Sequence, residues 1–117
     1  MMVPYEDNTA LLEAAVRENL YEQLVAQLVK DFGLANIAIT FPYQVSPKNL
    51  KTIVHQKIYR LILERFEAYL NLLYIIDVSE KAVKEITATD AVEIADQISF
   101  LVLKREFQKV WMKQKYA

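Results

Sequence analysis

The sequence predicts an all-α fold: an up-down-up bundle of three long helices plus one short helix, with an extended crossover at 34–46. Three observations lead there. Apolar residues recur at helical spacing over long stretches, as Leu12, Val16, Leu20, Leu24 and Leu28 do at every fourth position. Helix-start chemistry stands where the stretches change, most clearly at Ser46-Pro47. The 117 residues include a single glycine, Gly33, set among runs of helix formers.

The first helix is expected over 8–32, with Tyr21, Val25, Val29 and Phe32 widening the apolar stripe. Asn8 or Thr9 can cap its start, and Gly33 follows the last apolar position, where a left-handed stop favours a residue without Cβ. Over 34–46 the period changes. Ile37, Ile39 and Phe41 alternate with Ala38 and Thr40 until Pro42, a strand-like pattern. A lone strand has nothing to pair with, so the segment reads either as a crossover lying on the bundle or as an arm that packs with another chain.

From Ser46-Pro47 the second helix is expected to run to about 76, with Leu50, Val54, Ile58, Leu61, Leu72 and Ile76 on its buried side. At 1.5 Å per residue it would span roughly 45 Å. Asp77-Val78-Ser79-Glu80 reads as a turn with Ser79 capping a short helix over 80–86. Thr87 and Asp90 offer capping groups that break the chain before a last helix running to about 115. That helix is apolar nearly all round at Ile98, Phe100, Leu101, Val102 and Leu103, so it is buried by more than one neighbour.

Composition limits function. The chain is 54% hydrophobic and 25% charged with a net charge of −1, the profile of one globular domain over 1–117 with no global pull toward nucleic acid or anionic membrane. No cysteine is present, so disulfide frameworks and structural zinc are excluded. One glycine excludes the phosphate-binding loops that need several. The N-terminal residues lack the layout of a signal peptide and no apolar run is long enough to span a bilayer; the expected location is cytoplasmic. The one histidine, His55, lies on the flank of the second helix, where a surface or boundary role is the simplest reading. No catalytic residues are assigned.

Carboxylates supply the one enzymatic pattern. Glu64 and Glu67, and then Glu93 and Asp96, stand three apart, a spacing that places each pair on one helix face. Two such faces, opposed, can hold Mg²⁺ through oxygen ligands. Glu64-x-x-Glu67 followed by Glu93-x-x-Asp96 resembles the metal motif of the all-α nucleoside triphosphate pyrophosphohydrolases, the MazG-like group. That resemblance implies Mg²⁺-dependent release of pyrophosphate in a helical dimer or tetramer.

Charge is also segregated along the chain. Residues 1–31 carry two basic and six acidic side chains, and residues 104–117 carry five basic and one acidic. Arg105, Lys109 and Lys113 repeat every four residues and form one stripe, with Trp111 beside it. A solvated helix end accounts for this stripe, as does a face for an acidic partner; weak nucleic-acid binding through charge and stacking is a further alternative. In an up-down-up bundle the first and last helices run parallel, which holds the acidic end away from the basic end. The wide apolar faces call for a second subunit, and a twofold homodimer is the default assembly. The leading expectation is a protein–protein interaction and oligomerisation module, with Arg105, Lys109, Lys113 and Trp111 as partner face and Ile37, Ile39 and Phe41 as interchain arm.

Overall fold

A computed structural model of the chain describes residues 7–116. It is an all-α bundle with no strand among those residues, built from α1 (Asn8–Arg17), α2 (Tyr21–Leu34), α3 (Pro47–Glu64), α4 (Phe66–Ile76), α5 (Glu80–Lys84) and α6 (Ala91–Lys115). None of these helices is long and apolar enough to cross a membrane.

Four helices begin on a side-chain cap, and each cap accepts a hydrogen bond from the backbone N–H three residues on. Asp7 takes Ala10 N–H at 2.8 Å, Ser46 takes Asn49 at 3.2 Å, Ser79 takes Ala82 at 3.2 Å and Asp90 takes Glu93 at 2.9 Å. The expected starts at Ser46-Pro47 and Ser79 are present, as is the break before residue 91, with Asp90 as its cap. At the first helix Asp7 does what Asn8 or Thr9 was expected to do.

Both long N-terminal helices are divided. The expected helix over 8–32 stops after Arg17, where Asn19 takes a left-handed φ of 61°. Leu20 N–H then reaches back to Ala15 O at 2.8 Å and Asn19 N–H to Val16 O at 3.1 Å, the paired bonds of a Schellman stop. The same device recurs twice. At the end of α2 Asn36 (φ 62°) is followed by Ile37, which bonds Phe32 O at 2.9 Å; at the end of α4 Asp77 (φ 69°) is followed by Val78, which bonds Leu73 O at 3.0 Å. In each case a short polar residue that tolerates the left-handed region precedes a buried aliphatic one. Gly33 is not the stop: it lies inside α2 with no positive φ, and a Cβ there would meet nothing within 4 Å.

The expected helix over 47–76 breaks at Arg65 (φ −144°, ψ 65°), with neither proline nor glycine at the site. Packing changes at this point. α3 buries Leu50, Val54, Ile58 and Leu61 and packs most extensively on α6 and also on α1, whereas α4 buries Tyr69, Leu72, Leu73 and Ile76 and packs on α2 and α6. The break accompanies this change of neighbour from α1 to α2.

The 34–46 segment lies on the bundle. Ile37, Ile39 and Val45 are buried in the core, Phe41 is half-buried against it, and the Tyr21 hydroxyl donates to Val45 O at 2.7 Å. Two of the three residues proposed as an interchain arm are thus enclosed by their own chain.

Candidate functional site

The Arg105–Lys109–Lys113 stripe runs along the edge of a seam, half-buried at Arg105 and Lys109 and exposed at Lys113, and its partners come from α2 and from the α4–α5 turn. Lys109 Nζ donates to Asp31 Oδ2 at 2.6 Å, Lys113 Nζ to Gln27 Oε1 at 2.9 Å, and Arg105 to Asp77 Oδ2 at 3.0 Å. Residues 27 and 31 meet 113 and 109 in reverse order, so α2 and α6 run antiparallel here. The break at 18–20 divides the expected first helix, and Asp31 of its second half meets the basic C-terminal region directly, contrary to the expected separation of acidic and basic ends.

Beneath Lys109 lies Glu106, fully buried, with Oε1 3.1 Å from Lys109 Nζ. Its helical phase compels this position: Val102, Leu103 and Val110, four and three residues before and four after, are all core residues. Burial first, and then the hydrogen bond and negative charge of Asp31, push the Glu106 carboxyl up to about 9. Burial also pulls Asp31 upward, but hydrogen bonds from Glu106, Lys109 and Gln27, with the charge of Lys109, outweigh it and leave Asp31 below the ordinary carboxylate range. At neutral pH the cluster is therefore a protonated Glu106, an ionised Asp31 and a Lys109 cation that balances it. Glu106 is sealed from solvent, and the ion pair of Asp31 with Lys109 joins α2 to α6.

The four carboxylates of the pyrophosphohydrolase resemblance are not brought together. The break at Arg65 takes Glu64 and Glu67 off a common helix face, and Glu64 instead pairs with Arg60 at 3.7 Å. His55 Nε2 lies 3.2 Å from Val92 O, which places the start of α6 beside residue 55. Glu64 is nine residues further along α3, about 13 Å by helical rise, so it cannot share an ion with Glu93. No group of three or more His, Cys, Asp or Glu among the described residues could hold a metal ion.

The basic residues are similarly engaged. Besides the stripe, Lys115 Nζ stands 5.5 Å from the ring centre of half-buried Trp111 and Lys104 Nζ 5.8 Å from Phe100. The cations named for nucleic-acid binding are thus drawn to carboxylates, an amide and aromatic rings of their own chain.

An exposed apolar surface lies elsewhere, on α4. In its eleven residues only Glu67 and Asn71 are polar. One side buries Tyr69, Leu72, Leu73 and Ile76; the other presents Phe66, Leu70 and Tyr74 with 54%, 50% and 81% of their surface exposed. These three repeat every four residues and form one outward stripe. Leu63, at the end of α3, is exposed as well, and the Phe66 ring leans on Tyr69 with centroids 5.3 Å apart. Beside the C-terminal half of the stripe, between α4 and α5, lies a groove of about 690 Å³ lined by Leu70, Leu73, Tyr74, Val78, Val83 and Lys84, among others. The helical pattern of the sequence places Phe66 on the buried side of the second helix, but the break at Arg65 precedes it and it is 54% exposed.

Comparison of the chain with family models, curated proteins and solved structures finds no match.

Proposed function

We propose that this chain is a protein–protein interaction and oligomerisation module whose contact face is the outward side of α4. The observation that carries this reading is the Phe66–Leu70–Tyr74 stripe, a contiguous apolar surface on a helix already buried on its other side. Burying such surface is favourable by about 25 cal/mol per Å², and folded monomers rarely leave a large contiguous patch of it in water. Two aromatic rings flanking a leucine also suit the anchor role that large, rigid side chains play at interfaces. The basic stripe gives less support to the same role, because Arg105 and Lys109 are paired with carboxylates of the chain and Lys113 is bonded to the Gln27 amide.

The test is residue-resolved NMR at rising protein concentration. The proposal expects the Phe66, Leu70 and Tyr74 side-chain signals to shift or broaden together, while exposed Val16 on α1 stays unchanged. Signals that move at Val16 or along α6 with α4 unaffected, or signals that nowhere move, would contradict it.

A further inference from the structure

A separate groove of about 430 Å³ runs between α2 and α6, and its lining holds cations and amides but no carboxylate. Two helical repeats build it. Gln23, Ala26, Gln27 and Lys30 recur at the three- and four-residue spacing of one face of α2, and Val110, Lys113 and Gln114 do the same on α6. Leu20 and Val110, both buried, supply its apolar part together with the small Ala26. We infer that this groove binds a small phosphate monoester, its phosphate held by Lys30 and Lys113 and its apolar group resting on Leu20, Ala26 and Val110.

Charge chooses the ligand. Neither Lys30 nor Lys113 belongs to an ion pair among the described residues. A phosphate monoester carries about two negative charges at neutral pH, which the two lysines match. Lys113 is exposed yet fixed in place: its Nζ donates to Gln27 Oε1 at 2.9 Å, while Gln27 Nε2 donates to Asp31 Oδ2 at 3.1 Å. Gln27 is only 7% exposed, so it holds that ammonium from a buried position. An ammonium has three N–H donors, and the bond to Gln27 leaves two for a ligand. Behind Gln27, Lys109 offsets the Asp31 charge at 2.6 Å and Glu106 is protonated, so this cluster adds no net negative charge. An apolar wall with a few fixed polar groups is the usual form of a small-molecule site.

The test titrates phenyl phosphate into the full chain and follows the glutamine side-chain amides by NMR. The Gln23, Gln27 and Gln114 signals should shift together and saturate, while phenol, which lacks the charge, leaves them in place. Lys30→Gln and Lys113→Gln should each raise Kd about tenfold, the loss of one charge-assisted contact. Ala26→Leu fills the groove without altering charge and should also weaken binding. Lys48→Gln, outside the groove, should bind as the wild type does. All four positions are exposed, so circular dichroism should be unchanged throughout. Amide signals that never shift, or a shift that survives replacement of both Lys30 and Lys113, overturn the site. Equal weakening by Lys48→Gln overturns it too, because binding is then a general attraction of an anion to surface lysines. Leu70→Glu alters only the α4 face and should bind normally, so this site and the α4 contact stand or fall separately.

Discussion

Lys109 Nζ lies 2.6 Å from Asp31 Oδ2, joining residues 78 positions apart across the seam between α2 and α6. The Asp31 side chain is 5% exposed and that of Lys109 19%, so the pair is largely withdrawn from water. Removing one partner of such a pair leaves the other charge buried without compensation. Lys109→Met is therefore expected to destabilise the fold by about 3 kcal/mol in denaturant titration. The exposed Arg105–Asp77 pair gives the contrast. Asp77→Asn keeps a residue that tolerates the left-handed backbone, and its cost should stay below about 1 kcal/mol.

Glu106 makes the stability pH-dependent with a definite sign. Its folded value, about 9, lies above that of an unfolded glutamate, so between those values the native state binds more protons. The stabilisation is complete below the unfolded value and is lost as pH rises through about 9. Asp31, held low, acts in the opposite sense on acidification. Glu106→Gln keeps a donor for Asp31 without a proton to lose. Thermal melts are expected to show the wild-type Tm falling between pH 6 and about 9 more steeply than that of Glu106→Gln. Parallel profiles would remove the protonated carboxyl from this account.

The helix stops give a backbone prediction. Gly33 is helical, with open space where a Cβ would stand, so Gly33→Ala should stabilise by about 0.5–1 kcal/mol. Asn36 carries the positive φ that Gly33 was expected to carry, so Asn36→Ala should destabilise by about 1 kcal/mol. Opposite signs in paired melts distinguish the two roles.

Much of the architecture was legible in the sequence wherever a side chain itself acts on the backbone. Ser46-Pro47, Ser79 and Asp90 cap helices because their oxygens reach N–H groups three residues away, a relationship contained in local sequence. The stops at Asn19 and Asn36 were less visible, since the signal is a polar residue followed by a buried aliphatic one, and burial is a tertiary property. The break at Arg65 carried no local signal, with neither proline nor glycine there, and coincides with the change of packing neighbour from α1 to α2.

The candidate site divides in the same way. The spacing of Arg105, Lys109 and Lys113 correctly puts them on one stripe, but which way the stripe faces depends on Asp31 and Gln27 in a different helix. The helical phase of Glu106 with Val102, Leu103 and Val110 was the available clue that this side is buried. Glu64, Glu67, Glu93 and Asp96 show the converse: spacing along the chain did not ensure that the helices bring them together.

The outward face of α4 is tested by solution mass from light scattering for wild type and Leu70→Glu across the same concentrations. Leu70 is half exposed, so the substitution leaves the core intact and circular dichroism should be unchanged. If this face mediates association, the wild-type mass rises from 13.6 kDa toward twice that value with concentration, and the Leu70→Glu chain remains at 13.6 kDa. Identical masses for the two proteins at every concentration would contradict it.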